Sequence, residues 1–527
     1  MGVALLHLFG AFFRALNRHR KSGALPWPGI RCLADSASAP RVRPMTSTRL
    51  QNAESPSERL VPLVVDLDGT LVCSDLLTEY VFALAKQRPW RLLRLPFWLA
   101  QGKARLKRHL AQEAQLDVHT LPYHRGLLAY LQAQKRRGRH LILATAADET
   151  VAQQVARETG VFDAVFASDG TTNLSGKRKR QRLVTEFGAR GFDYAGNSRR
   201  DLPVWGAARR AILVRPSRGL PDAVAEISEV ERVFADGVSG PRLYLHALRV
   251  HHWLKNILVF VPLVAAHQLN DMGLLAHAVL AFIAFSLCAS SVYLLNDLVD
   301  LPTDRRHPYK KERPLASGQL PIGQAVGLIP LLWMATVAVG LQLPRPFLWV
   351  LGLYYVFMLA YCLRLKDFAI MDALVLAGGY ALRVLAGSVA VTITASPWLL
   401  GCSILLFFSL ALLKRYAELV TMRSLEGAKA RARGYSAKDS RLVATLGGSS
   451  AFLAVIVLAL YAGIEQRLHP RYELLWLVCV LLSCWIGYMW LMAHRGRIRD
   501  DPAAFALKDR ASQVLAVLIM TTVLIAA

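Results

Sequence analysis

A chain of 527 residues in which 54% are apolar has room for more than one domain, and a formal net charge of +26 asks for anionic partners. The bases come with no nucleic-acid motif and lie largely beside long apolar runs, so phosphorylated substrate and anionic lipid account for them and nucleic acid does not. The seven cysteines, at 32, 73, 288, 362, 402, 479 and 484, have neither metal-ligand spacing nor a paired framework, which fits a reducing compartment. Residues 1–59 read as an extension, 60–235 as a soluble α/β unit and 236–527 as an all-α polytopic membrane unit.

In the extension, apolar Val3 to Phe13 is followed by Arg14, Arg18, Arg20 and Lys21, the reverse of the charge order of a secretory signal. A short surface-lying helix is the expectation there. Residues 22–58, rich in Ser, Pro, Ala and Arg, read as disordered linker, and Met1 and Met45 both stand as possible starts.

The soluble unit opens with a β-prone run, Val61 to Val65, that ends in Asp66-Leu67-Asp68-Gly69-Thr70. Leu141 to Leu143 form a second buried-strand candidate ending at Thr145; Lys179 follows Gly176, and Asp201 closes Gly196-Asn197-Ser198-Arg199-Arg200-Asp201. Open α/β sheets bind ligands at the carboxyl ends of such strands. The ordered set resembles the haloacid dehalogenase superfamily of phosphatases, which implies a Rossmann-like fold and a Mg²⁺ ion. The resemblance makes Asp66 the nucleophile and Asp68 the general acid and base. Thr145 would then bind the phosphoryl oxygens, Lys179 would neutralise developing charge, and Asp66 and Asp201 would share the metal with the carbonyl of Asp68. Asn197 stands where many members carry another acid. A fold of this kind that serves only as a scaffold is the alternative.

Between the first two motifs, Trp90, Leu92, Leu93, Leu95, Phe97, Trp98 and Leu99 alternate with Arg91, Arg94, Lys103, Arg105, Lys107 and Arg108. Such mixtures favour a bilayer interface, so the segment is expected to be a cap lying on the membrane; a cap packed only on its own domain is the alternative.

Apolar runs in the membrane unit suggest about nine spans: 254–268, 274–295, 324–342, 346–363, 370–392, 397–413, 444–463, 472–493 and 512–527. Loops 297–323, 364–369, 414–443 and 494–511 hold 5, 2, 8 and 5 Lys or Arg, against Arg345, Arg467 and Arg471 in the opposite loops. The positive-inside rule therefore predicts an inner-membrane protein with the soluble unit and the base-rich loops in the cytoplasm.

After the second run comes Asn296-Asp297-x-x-Asp300-x-x-x-Asp304, then His307-Pro308-x-Lys310-x-x-Arg313-Pro314. If the helix continues through its first Pro, the three acids at i, i+3 and i+7 share a face, and hard oxygen ligands of that kind suit Mg²⁺ and a diphosphate. Arg305, Arg306, Lys310, Lys311 and Arg313 are placed to hold the outer phosphates. This segment resembles the first Asp-rich motif of the UbiA superfamily of membrane transferases, with Asn296 and the three acids as its binding set. The resemblance implies a helical fold around a cavity and a polyprenyl chain entering from the lipid.

The usual second Asp-rich motif is missing, since Asp367 and Asp372 lack its spacing and the 414–443 loop is basic. That departure resembles the decaprenyl-phosphate phosphoribosyltransferase branch, where the same Tyr-x-x-x-x-Lys pattern occurs as in Tyr361 to Lys366. The branch implies phosphoribosyl diphosphate, PRPP, bound through Mg²⁺ at Asp297, Asp300 and Asp304, with a polyprenyl phosphate as acceptor. Lys255, Lys366, Lys414 and Arg415 would hold phosphates, Tyr361 would donate a hydrogen bond, and Arg383, a charge within a span, is expected to have a partner or a function. With a phosphatase-like unit attached, removal of the 5-phosphate from the product is the expected second step. A prenyltransferase acting on a prenyl diphosphate and an aromatic or other acceptor is the nearest alternative, and a transporter or scaffold with a vestigial phosphatase the more distant one.

Overall fold

Leu63–Val65 is wholly buried and forms strand β1, the middle of the soluble unit. The computed structural model describes residues 61–235, 240–307, 309–426, 431–432, 434–464, 473–498 and 502–526, so the extension with Val3 to Phe13, the linker, Met1 and Met45 lies outside the described residues. After β1 come β2 (Leu141–Asp148), β3 (Ala164–Ser168), β4 (Asp193–Gly196), β5 (Arg210–Val214) and β6 (Glu229–Phe234). They pair in parallel in the order β3-β2-β1-β4-β5-β6. β1 is paired on both sides, Leu63 with Leu141 and with Asp193, and this is where the strand order reverses. A crevice at the carboxyl ends follows from that reversal. β2 runs past the expected end at Thr145 as far as Asp148, with a register shift between Ala144 and Asp148.

The cap consists of helix α1 (Leu76–Gln87), a 3₁₀ turn (Pro89–Arg94), helix α2 (Leu95–Ala100) and helix α3 (Lys103–Glu113). Asp75 caps α1 by accepting from Leu77 N at 2.9 Å. Leu76, Leu84, Trp98, Leu106 and Leu110 anchor these elements in the core of the sheet domain.

Seven helices are long and apolar enough to cross a membrane: Met272–Val299, Ile322–Gly340, Arg345–Leu363, Met371–Ala390, Pro397–Thr421, Ser440–Gly463 and Glu473–His494. The two remaining expected spans are the shorter apolar helical stretches Val250–Ala265 and Arg510–Ala526. Small residues on Met272–Val299, among them Ala281, Ala284, Ser286, Cys288 and Ser290, are buried, so neighbouring backbones approach closely. Trp349, Phe452, Met334 and Val356 point outward as the lipid-facing surface of an integral membrane protein.

The soluble and membrane parts meet at the Asp-rich segment. Phe82 of α1 packs with Leu294, Leu298, Leu301 and Leu320, and Lys86 Nζ donates to the Val299 carbonyl at 2.9 Å. Arg305 grips Glu79 with both ends of its guanidinium, at 2.6 and 3.1 Å. Arg215 Nη1 donates to the carbonyls of Cys73 (3.3 Å) and Gly318 (3.1 Å). Gly318 has φ +70°, and a Cβ there would lie 2.8 Å from Cys73 Cβ, so a side chain fits neither the backbone nor the seam.

Candidate active sites

Parallel register sets the first site. Val65 is level with Leu143 on one side and Ala195 on the other, so Asp66 leaves β1 between the stretch leading to Thr145 and the turn after Gly196. Gly69 carries φ +74°, and a Cβ there would come within 2.1 Å of Asn197 Nδ2. The glycine of Asp-x-Asp-Gly-Thr thus lets the two loops touch. Asn197, the departure from the acid-bearing pattern, fills that contact.

Asp66, Thr145, Lys179 and Asp201 are all buried, and Asp68 is half-buried. Lys179 Nζ lies 2.6 Å from Asp66 Oδ1 and 4.0 Å from Asp201 Oδ1. Tyr194 on β4 accepts from Lys179 at 3.0 Å and donates to Asp201 Oδ1 at 2.9 Å. The other Asp201 oxygen accepts from Ser198 N and Ser198 Oγ, each at 3.1 Å, and from Asn197 N at 3.3 Å. Thr145 Oγ1 accepts from Ala147 N at 2.9 Å. Asp68 Oδ1 accepts from Leu76 N at 2.9 Å, at the start of α1.

Burial alone would push the Lys179 ammonium down, but Asp66 and Asp201 together hold it above its ordinary value. The Asp68 carboxyl is pushed up to about 7, chiefly by burial and then by Asp75. A carboxyl that titrates near neutrality can both give and take a proton. Lys107, on α3, donates to the Ala146 carbonyl at 2.6 Å and lines a small pocket with Asp68, Leu76, Leu77, Tyr80, Ala147, Asp148 and Val151. Burial lowers the Lys107 ammonium, against the pull of Asp68 and Asp75. Two buried carboxylates, from β1 and from the loop after β4, form an oxygen donor set whose chemistry fits Mg²⁺. The motifs did not point to Lys107 and Tyr194; for Lys107 the signal was its place on a helix face with Ala104 and Leu110, and for Tyr194 its position two residues before Gly196 on a buried strand.

The second site differs from the expectation of one continuous helix. Met272–Val299 stops at Asp300, and a short helix, Leu301–Arg306, begins with Pro302 in its first turn. The Pro ring has no N–H and crowds the preceding turn, so the axis breaks at Asp300. The three acids meet different cations. Asp297 takes Arg249 at 2.5 Å and Arg313 at 3.1 Å, Asp304 takes Arg313, and Asp300 takes Lys366. Among the described residues no group of three His, Cys, Asp or Glu side chains is close enough to hold a metal; the three carboxylates are nonetheless the hard oxygen donors that Mg²⁺ takes.

Arg249 has φ 51°, a conformation uncommon for a side chain other than Gly, and no sequence motif marked it. Asn296, by its carbonyl, accepts from Asp300 N at 2.9 Å, Lys310 opens a 3₁₀ turn, and Lys255 lies in the stretch Val250–Phe260. Arg305 and Arg306, expected at the outer phosphates, pair instead with Glu79 and Asp117 of the soluble domain, whose buried or partly buried carboxylates lie within reach of the short helix. Arg383 donates to Asn256 Oδ1 (2.7 Å), the Gly379 carbonyl (2.6 Å) and Tyr354 OH (2.9 Å), so the charge within the span has full partners. Arg415 pairs with Asp372 and with Glu418, and Tyr435 OH also donates to Asp372, at 2.8 Å. Tyr361 is buried near the end of its span, and Lys414 is half-buried beside Arg415.

Apolar helices around an Asp-rich segment, joined to a parallel sheet bearing an Asp-x-Asp-Gly-Thr loop, define a membrane transferase with a hydrolase-like domain before it. Residues 257–515 match the UbiA prenyltransferase family and residues 63–205 match the haloacid dehalogenase-like hydrolases; the chain belongs to the UbiA family and carries both domains. An uncharacterised protein of Sinorhizobium fredii is 35% identical over 476 residues, 89% of this chain and 92% of its own length. The nodulation protein NoeC of Azorhizobium caulinodans is 34% identical over 278 residues, 51% of this chain and 89% of that protein. A decaprenyl-phosphate phosphoribosyltransferase of Mycolicibacterium smegmatis is 33% identical over 283 residues, 51% of this chain and 88% of that protein.

Proposed function

We propose that the membrane domain transfers 5-phosphoribosyl from PRPP to a polyprenyl phosphate, and that the hydrolase-like domain then removes the 5-phosphate. The observation that carries this reading is Lys366 on Asp300. Where a site for a prenyl diphosphate would bring a second set of acids, this chain brings a cation, and its nearest candidate acid, Asp372, is buried against Arg415 and Tyr435. A donor with phosphates at both ends suits carboxylates interleaved with Arg249, Arg313 and Lys366. The relatives named as decaprenyl-phosphate phosphoribosyltransferases support the same donor and acceptor.

Asp297, Asp300 and Asp304 would hold Mg²⁺, which would supply positive charge for a leaving diphosphate. Arg249, Arg313 and Lys366 orient the donor while a lipid phosphate oxygen bonds to C1 of the ribose and the C1–O bond to diphosphate breaks. In the soluble domain, Asp66 and Asp201 would hold a second Mg²⁺. Asp66 attacks the 5-phosphate, Asp68 gives its proton to the departing sugar oxygen, and Lys179 balances the charge on the phosphoryl group. Asp68 then takes a proton from the water that releases phosphate and restores Asp66. Both sites face the cytoplasm of an inner membrane in this reading, which the excess of Lys and Arg in the loops on that side supports.

Purified protein given Mg²⁺, radiolabelled PRPP and a polyprenyl phosphate should yield labelled lipid, and Asp300→Ala should abolish the label. No label at any chain length, with transfer from a prenyl diphosphate to an aromatic acceptor instead, would move the function to prenyl transfer.

A further inference from the structure

The cap has a face that its own domain does not cover. Trp90, Leu93, Phe97 and Leu99 are 66%, 85%, 66% and 52% exposed, although Trp98 between them is buried and stacks on His109. Trp98, with Leu92 and Leu95 packed against the same core, anchors the segment, while four large apolar side chains point away from it. Residues 86–108 hold eight bases and no acid, and of these all but Arg91 and Lys107 are exposed.

The chain just before this face is tied to the membrane domain. Phe82 sits among Leu294, Leu298 and Leu301, and Lys86 donates to the carbonyl of Val299, the last residue of a membrane-spanning helix. Only three residues separate Lys86 from Trp90, so the exposed face starts close to where that span leaves the bilayer. Aromatic and leucine side chains rimmed by Arg and Lys match the headgroup layer, with apolar groups among the acyl carbons and cations on lipid phosphates. α3 follows directly and brings Lys107 to the pocket beside Asp68.

We propose that residues 89–100 seat in the headgroup layer of an anionic bilayer beside the membrane-spanning helices, and that lipid-linked phosphate esters reach the Asp66 pocket along this face. The bilayer contact stands on the geometry alone; the route for the substrate rests on the phosphatase reading above.

The test uses the full chain with Cys484→Ser, reconstituted in nanodiscs containing phosphatidylglycerol. A fluorophore is placed at Leu93→Cys or, as a control, at Gln154→Cys, an exposed position on the helix Glu149–Thr159. Lipids brominated near the headgroup should quench the label at 93 at least threefold more than the label at 154, and less so in purely zwitterionic discs. Equal quenching at the two positions overturns the proposal. So does a label at 93 shielded from both brominated lipid and aqueous iodide, which would assign the face to a protein segment such as Val3 to Phe13. In a second arm, the paired change Leu93→Glu and Phe97→Glu should slow phosphate release from a lipid-linked ester about tenfold while release from a small soluble phosphomonoester stays within twofold. Equal loss on both substrates overturns the route. No release from either substrate by the unsubstituted protein would instead remove the phosphatase reading and leave the quenching result to decide the contact.

Discussion

The two sites balance their acids in opposite ways. In the sheet domain the cation is local to the fold: Lys179 lies between Asp66 and Asp201 with Tyr194 as a bridge, and all four come from one domain. In the membrane domain each acid is met by a cation from another segment: Arg249 before the spans, Arg313 after the short helix, Lys366 after the third long span. The first arrangement is built before a ligand arrives, while the second depends on how the helices pack. Changes in the sheet domain should therefore act on chemistry alone, whereas changes in the membrane site should act on donor binding as well.

The largest expected effect is the loss of the proposed nucleophile. Asp66→Asn should reduce phosphate release on the order of 10⁴-fold or more while lipid labelling from PRPP continues unchanged. Parallel loss of both activities would mean that the two sites are not separable. Next, Lys366→Met removes the partner of Asp300 and should lower transfer about 10²-fold, with a rise in KM for PRPP, and leave hydrolysis of a soluble phosphomonoester as it was.

At the seam, Glu79→Gln leaves the Arg305 guanidinium buried without its carboxylate; the two side chains are only 4% and 6% exposed. Breaking such a pair should cost about 3 kcal/mol, seen as a lower thermal midpoint, and the double change Glu79→Leu with Arg305→Met should recover most of it. A single variant as stable as the unsubstituted protein would mean that the seam is held by its apolar contacts.

The smallest effect is on pH. Asp68 is pushed up to about 7, so its proton-bearing form prevails below that value and is lost as pH rises through it. With a poor leaving group, which needs that proton, phosphate release should fall about tenfold between pH 7.5 and 8.5; with a nitrophenol leaving group it should stay nearly flat. Equal slopes for the two would move the proton to another group.

Much of the sheet domain could be read in advance because its parts are contiguous. A β-prone run ending in Asp66-Leu67-Asp68-Gly69-Thr70 states both the strand and the loop, and Lys179 and Asp201 follow in a fixed order. Span positions were equally legible, since a bilayer sets helix length. What stayed hidden lies between segments. Glu79 and Arg305 are 226 residues apart, and Arg249 meets Asp297 across 48, so no window of sequence contains either pair. The break at Asp300 was signalled by Pro302 but depended on whether packing would override it. Arg383 could be marked as a charge needing a partner, yet Asn256 and Tyr354 become those partners only when three separate segments converge.

Gly318 has a bearing on domain grafting. Its missing side chain is what lets the loop after the Asp-rich helix rest on Cys73, five residues beyond Asp68 in the hydrolase-like domain. A transplanted soluble half must bring a backbone shaped like Cys73 and a carboxylate in the place of Glu79, and a transplanted membrane half must leave position 318 bare. Chimeras assembled by cutting between residues 235 and 240 would satisfy the chain's connectivity and still fail at that junction, so the two halves are best exchanged together with their contact loops.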